Sequence, residues 1–129
     1  MVDVKQLKMD ALGQEFSICK VVDYTQIDLE SPFVFTGSTD EEKSLVCPTV
    51  IVPQNTVERD DGWKALRIIG ILDFSLIGIL ARISNILAKN GIGIFAVSTF
   101  NTDYFIVKKR DFEKAIKALE DAGFIIEKD

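Results

Sequence analysis

The hydrophobic pattern changes character between residues 63 and 91. Residues 63–71 form a nearly continuous apolar run, which predicts a buried strand. Beyond this run, apolar residues recur at spacings of three and four, as on one face of a helix, with Ser75 as the predicted N-cap. The predicted helix face consists of Leu76, Ile79, Leu80, Ile83, Ile86 and Leu87. Gly91 is the expected helix stop.

Strand and helix patterns continue to alternate to the end of the chain. Residues 92–100 and 103–107 predict two strands joined by a tight turn. Asp111 is placed to cap a second helix that ends at Gly123, and residues 124–127 predict a last strand. The order βαββαβ predicts an α+β ferredoxin-like sandwich, in which two helices cover one face of an antiparallel sheet.

The strands of this half are apolar at nearly every position, which is typical of strands covered on both faces. Two helices cover only one face of the sheet. We therefore expect the other face to be shielded by the first half of the chain or by a second subunit.

The first half has a weaker pattern. Three short segments predict strands: 14–22, 32–37 and 44–47. Residues 1–13 show no firm element, and the flanking prolines Pro48 and Pro53 limit residues 50–52 to an edge segment or a turn. The polar stretch 54–62 predicts a boundary or a hairpin between the halves.

A faint repeat relates the two halves. A shift of 60 residues superposes Phe35 on Phe95 and residues 38–39 on 98–99. The spacing between strands is shorter in the first half, by about three helical turns. We therefore predict an eroded copy at residues 1–60 and a complete domain at 61–129, with a chance match as the alternative.

The composition is that of a soluble globular protein: 129 residues, 47% of them hydrophobic and 27% charged. A formal net charge of −5 argues against a nucleic-acid partner, since such binding depends on Lys and Arg. The N-terminal residues lack the pattern of a signal peptide, and no apolar run reaches membrane-spanning length. We expect a cytoplasmic protein.

Histidine is absent, which removes the usual proton shuttle and the commonest transition-metal ligand. Cys19 and Cys47 lie in apolar runs, which favours buried thiols over a disulfide or a redox pair. Ser75 and Ser98 have no histidine to activate them, and a glycine-rich phosphate loop is missing. We therefore expect no enzymatic activity, no cofactor and no metal.

The junction between the strand and the first helix is the first candidate ligand-binding segment. A helix start offers backbone N–H donors and a positive dipole end, which suit a carboxylate, and Gly78 leaves room for its approach. The candidate contacts are Asp73, Phe74, Ser75, Leu76, Gly78 and Ile79. Alternatively, Asp73 and Ser75 only cap the helix.

The predicted turn between the two later strands is the second candidate segment. Its polar concentration comprises Ser98, Thr99, Phe100, Asn101, Thr102 and Asp103. Asp103 suits an ammonium or guanidinium group, so the two segments together would satisfy a zwitterionic amino acid. Asp73 would oppose the carboxylate of such a ligand unless it faced the cationic end. The alternative is an ordinary hydrophilic hairpin turn.

The segments DFSLIGIL at 73–80 and IFAVSTFNTDYFIV at 94–107 resemble the ACT-domain family, in particular small bacterial tandem-ACT proteins. They are also similar to the ACT repeats of animal arginine sensors. The resemblance implies a tandem ACT sandwich, a homodimer, and an amino-acid ligand bound by the 73–79 loop with Thr99, Phe100 and Asp103. It also implies a regulated protein partner.

These observations favour a non-catalytic regulatory module that binds an amino acid. The alternative is a structural or protein-interaction domain that has lost its ligand. An acylphosphatase shares the βαββαβ order, but the glycine-rich loop and arginine expected there are missing. An RNA-binding sheet would carry aromatic and basic residues on its central strands, and this pattern is absent too.

Overall fold

The computed structural model describes residues 7–69 and 78–128. In chain order the elements are β1 (Lys8–Ala11), β2 (Phe16–Val21), β3 (Phe35–Ser38), β4 (Lys43–Pro48), β5 (Thr56–Ile68), α1 (Ile79–Lys89), β6 (Ile94–Ser98), β7 (Asp103–Lys108), α2 (Phe112–Asp121) and β8 (Ile125–Lys128). Short 3₁₀ turns occupy Thr49–Ile51 and Lys109–Asp111.

The chain forms two compact units. The strand unit is Gln14–Trp63, and the helical unit comprises residues 7–13, 64–69 and 78–128 among those described. The division predicted at residue 60 concerned two related halves. Compactness does not test that relationship, so it stays a prediction.

The helical unit contains the predicted βαββαβ order, from the end of β5 through α1, β6, β7 and α2 to β8. Its strands lie in the order β6–β7–β5–β1–β8. The α+β ferredoxin-like class is therefore confirmed. Among the described residues, no helix is long and apolar enough to span a membrane.

Strand β1 corrects two expectations about this sheet. It forms where the pattern of residues 1–13 indicated no firm element, and it lies between β5 and β8. It pairs antiparallel with β5 and parallel with β8, so the sheet is mixed and not antiparallel throughout. Its four residues, KMDA, are too few to show a period on their own.

The polar stretch 54–62 is not a hairpin, because most of it belongs to the long strand β5. Residues 56–63 pair with β2 in the strand unit, and residues 66–68 pair with β1 in the helical unit. Residues 56–63 of β5 are mostly exposed, so cross-strand hydrogen bonds and not burial hold this part of the strand. The buried Ser17 hydroxyl, for example, donates to Asp61 at 2.6 Å.

Both helices contribute to one core with the strands of the helical unit. The buried members are Met9, Ala11, Leu66, Ile68, Ile79, Ile83, Leu87, Ile92, Phe105, Val107, Phe112, Ala115, Ile116, Leu119 and Phe124. Helix α1 begins at Ile79, after Gly78, and not after Ser75 as predicted. Leu80 is 37% exposed, so its assignment to the core face is wrong, whereas Ile79, Ile83 and Leu87 are buried.

The two faces of the β1–β5 pair differ in chemistry. Ala11 and its partner Leu66 belong to the core beneath the helices. Successive strand residues point to opposite faces, so the paired residues Asp10 and Arg67 lie on the face without helices. One of the apolar strands thus carries an arginine on that face.

The expectation of strands covered on both faces is met by β7 but not by β6. Phe105, Ile106 and Val107 are all fully buried. In β6, by contrast, Ala96 and Ser98 are exposed and the other residues are partly exposed. Among the described strands, β6 pairs with β7 alone, which makes it an edge of the sheet.

The strand unit contains β2, β3, β4 and the first part of β5, in the order β3–β4–β2–β5. Residues 14–63 are all described, and they include no α-helix. Its core consists of Cys19, Val21, Ile27, Leu45 and Cys47, with Tyr24, Val34, Ile51 and Val52 packed against them. Whether this unit is an eroded copy of the other stays a prediction.

Both cysteines are free thiols buried in the strand-unit core, as the apolar runs around them predicted. Burial and the nearby Cys19 thiol raise the pKa of Cys47 to about 12. Burial also raises the pKa of Cys19 above its ordinary value. Both groups therefore stay protonated at neutral pH, where the thiolate is the reactive form.

We predict that a thiol reagent at neutral pH will modify the native protein far more slowly than the protein unfolded in guanidinium chloride. The reason is that only unfolding exposes the thiols and returns their pKa to the ordinary range. Absorbance of the released chromophore measures this. Rapid modification of the native chain would contradict the buried positions of Cys19 and Cys47.

Candidate functional site

The first predicted ligand-binding segment is described only at its end. Asp73, Phe74, Ser75 and Leu76 lie outside the described residues. Gly78 precedes α1 with φ of 86°, a left-handed conformation that favours glycine. The side chain of Ile79 belongs to the core, so it serves packing in this structure.

The second predicted segment forms a tight turn closed by its own hydrogen bonds. Ser98 and Asp103 face each other across β6 and β7. The backbone N–H and the hydroxyl of Thr99 donate to the Thr102 carbonyl, at 2.8 and 3.0 Å. The Thr102 N–H donates to the Thr99 hydroxyl at 3.3 Å. These bonds account for the two threonines as turn residues.

Thr102 also ties the turn to the end of β5. Its side chain is buried, and its hydroxyl donates to the Ile68 carbonyl at 2.9 Å. The turn therefore lies beside the point where the chain leaves β5.

A pocket of about 320 Å³ opens at this place. We call it the Arg67 pocket, and its polar lining comprises Asp10, Arg67, Thr99, Asn101, Thr102 and Tyr104. Ile69 contributes apolar surface, and Ile68, whose side chain is buried in the core, completes the lining. Phe105 and Val107 are in the core beneath the helices, so Tyr104 lies on the opposite face of β7. The pocket is thus on the face without helices.

An ion pair is the main electrostatic feature of the Arg67 pocket. Arg67 Nη2 lies 3.0 Å from Asp10 Oδ2, and the two side chains are 30% and 23% exposed. The guanidinium also donates to the Tyr104 hydroxyl at 3.5 Å and lies 5.8 Å from its ring centroid. Hydrogen bonding to Tyr104 and then to Asp10 raises the pKa of Arg67. The cation is therefore partly shielded and held in place.

The structure brings together some of the predicted site residues and not others. Thr99, Asn101 and Thr102 line the Arg67 pocket. Phe100 does not, and its side chain is 86% exposed. Ser98 and Asp103 are also missing from the lining.

Sequence reasoning missed Asp10, Arg67 and Tyr104, which supply the charge and the ring of the pocket. The signal for Arg67 was a single cation inside the apolar run ALRII. Asp10 gave no such signal, because β1 itself was not predicted. No group of acidic or cysteine side chains in the described part of the chain could hold a metal ion.

Residues 58–121 match a family model described as an ACT domain. A protein from Agrobacterium tumefaciens with a crystal structure is 31% identical, with 96% of this chain and 94% of that one covered and a TM-score of 0.85. A Vibrio cholerae protein of unknown function, a possible transport protein, is 17% identical, with 93% and 92% covered and a TM-score of 0.72.

The ligand-free regulatory subunit of aspartate kinase from Thermus thermophilus shares the fold at 11% identity, with 88% and 95% covered and a TM-score of 0.61. No curated protein matches the chain. The likeness at 31% identity extends over both compact units, because it covers nearly the whole chain.

We predict that Thr102→Val will destabilise the protein by about 1–3 kcal/mol, since it removes the buried donor to the Ile68 carbonyl. Chemical denaturation measures the change. Thr99→Val is the matched control, because Thr99 is exposed and its backbone N–H still bonds to Thr102. Equal losses in the two variants would show that the Thr102–Ile68 bond does not fix the turn.

Proposed function

The chain belongs to the ACT-domain family, and on this premise we propose that it is a non-catalytic regulatory module that binds an amino acid in the Arg67 pocket. The observation that carries the proposal is the Arg67–Asp10 ion pair at 3.0 Å in the pocket lining. A site with one cation and one anion in contact is complementary to a zwitterion.

The chemistry of the two charged groups assigns an end of the ligand to each. A guanidinium presents several N–H donors in one plane, which suits the two oxygens of a ligand carboxylate. The carboxylate of Asp10 accepts hydrogen bonds and suits the ligand ammonium group. Both side chains are partly withdrawn from water, so a charged ligand is screened less here than on an open surface.

The size and remaining lining of the pocket favour a small ligand. A volume of about 320 Å³ is at the lower end of the roughly 300–1,000 Å³ typical of ligand pockets. Tyr104 and Ile69 offer apolar surface to a side chain. Asn101 adds an amide that can both donate and accept hydrogen bonds.

The position of the pocket suggests how binding would be transmitted. The ligand would touch β1 through Asp10, β5 through Arg67 and the turn through Asn101. Ligand binding would therefore stabilise the packing of these three elements against one another.

The regulated protein would be a separate one. A structural neighbour is named as the regulatory subunit of aspartate kinase. We propose the same kind of role here, with the module acting on a cytoplasmic catalytic partner.

A second candidate function is protein interaction without a ligand. Phe100 favours it, because an aromatic side chain that is 86% exposed at a turn is suited to docking against a partner. This candidate requires no occupant of the Arg67 pocket. The titration below separates the two functions.

We predict that isothermal titration with the twenty amino acids will identify at least one ligand. Arg67→Met should weaken the binding of this ligand at least about tenfold, because it removes the guanidinium group that contacts the ligand carboxylate. Arg110→Met is the matched control, since Arg110 is exposed and outside the pocket. Absence of heat with every amino acid would favour the protein-interaction function.

Modified ligands assign the two ends. The N-acetyl derivative of the ligand lacks the ammonium group, so Asp10→Asn should change its affinity little. The amide derivative lacks the carboxylate, so Arg67→Met should change its affinity little. Asp103→Ala tests the earlier assignment of the ammonium group to Asp103. A larger loss from Asp103→Ala than from Asp10→Asn would move the cationic subsite to the start of β7.

We also predict a homodimer that pairs through β6, because β6 is an edge among the described strands and a strand edge is a template for pairing with another chain. Light scattering after size exclusion should give twice the chain mass. Ala96→Lys on the exposed edge should shift the mass toward the monomer, whereas Ala88→Lys on the exposed side of α1 should not. A monomeric parent protein would contradict the prediction.

A further inference from the structure

A second pocket, of about 400 Å³, lies in the helical unit. Lys64, Lys109 and Lys128 line it together with Glu113, Phe112 and Ile116. We call it the lysine pocket. Neither the predicted ligand-binding segments nor the proposed amino-acid site includes any of these residues.

The lysine pocket lies on the helix-covered face of the sheet, opposite the Arg67 pocket. Its lining includes Ala11, which belongs to the core beneath the helices, and three residues of α2. Asp10, the neighbour of Ala11 in β1, lines the Arg67 pocket. Consecutive residues of a strand point to opposite faces, so the two pockets are separate sites.

The lysine pocket has an excess of positive charge, whereas the net charge of the chain is negative. Three lysines and one carboxylate line it, although the formal net charge of the protein is −5. The first two residues of α2, Phe112 and Glu113, are also part of the lining. The positive end of the helix dipole therefore adds to the charge of the lysines.

Lys64 is held in place by two contacts. Its Nζ donates to the Gly13 carbonyl at 3.1 Å and lies 5.1 Å from the centroid of the Phe112 ring. A side chain fixed in this way loses less conformational entropy when it contacts a ligand than a freely rotating lysine would. The ammonium group is thus already positioned at the pocket.

We propose that the lysine pocket binds a small phosphate ester. Lysine acts on phosphate as a point charge, whereas the planar fork of arginine favours two-oxygen contacts, and the described lining contains no arginine. A phosphate monoester carries a charge of about −1.5 to −2 at neutral pH, which matches the excess of lysines. The lining residues Ala11, Leu12 and Ile116 offer apolar surface to the organic part of the ester.

Phenyl phosphate is a suitable probe, because it combines the phosphate ester with an apolar ring. In amide NMR spectra of the full chain, we expect it to shift the signals of Leu12, Gly13, Phe112 and Glu113 saturably. Signals of the Arg67 pocket should move less, and the affinity should fall as salt is added.

Two substitutions test the lysines. Lys64→Met and Lys128→Met should each weaken the binding of phenyl phosphate by about tenfold, since each removes one charged contact. Lys114→Met is the matched control, because Lys114 is an exposed lysine of α2 and does not line the pocket. Lys128 is also exposed, so Lys128→Met decides the question if Lys64→Met fails to fold.

Phenol and inorganic phosphate complete the test. Phenol should bind at least about tenfold more weakly than phenyl phosphate, since it lacks the charged group. Inorganic phosphate should displace phenyl phosphate at these same amides. The proposal is overturned if phenol binds as tightly, if no saturable shift appears at these amides, or if Lys114→Met weakens binding as much as Lys64→Met. None of these outcomes depends on amino-acid binding in the Arg67 pocket.

Discussion

Strand β1 lies between β5 and β8. One of its faces packs in the apolar core, and the other contributes to the Arg67 pocket. The two-residue period of a strand directs Met9 and Ala11 to the helices and directs Asp10 to the other face. A shift of one residue in the β1–β5 register would exchange these faces and place a carboxylate in the apolar core. The hydrophobic effect on Met9 and Ala11 therefore fixes the position of Asp10 opposite Arg67.

The Arg67–Asp10 ion pair contributes less to the free energy of folding than its short distance alone would imply. Moving two charges out of water is costly, and a partly buried ion pair is weak evidence for a contribution to folding. The cost is easier to understand if the pair serves recognition, since a rigid pair of opposite charges is already arranged for a zwitterion. The contact between Arg67 and Tyr104 restricts its movement further.

The sequence predicted the elements with strong periodicity and missed those without it. The βαββαβ order was readable because α1, α2 and the apolar strands each show several repeats of their period. β1 has four residues, and the polar part of β5 is held by cross-strand bonds such as Ser17–Asp61, which leave no hydrophobic pattern. Local reading cannot detect pairing between residues so distant in the chain.

The candidate site shows the same limit. The turn residues Thr99, Asn101 and Thr102 stood out as a polar group between apolar strands, and they do line a pocket. The charged partners come from β1 and β5, whose approach to the turn depends on the tertiary fold. Asp103 was singled out by its neighbours in the sequence, but in the structure it pairs with Ser98 across β6 and β7 and is not part of the described lining.

The insertion of β1 between β5 and β8 has a consequence for synthesis on the ribosome. β1 is translated long before β8, its parallel neighbour, in which Ile125 pairs with Lys8. Contacts between such distant positions require closing most of the chain into a loop, which slows folding. The nascent strand β1 thus remains without its parallel neighbour until β8 has been translated, and chaperones have that interval in which to engage it.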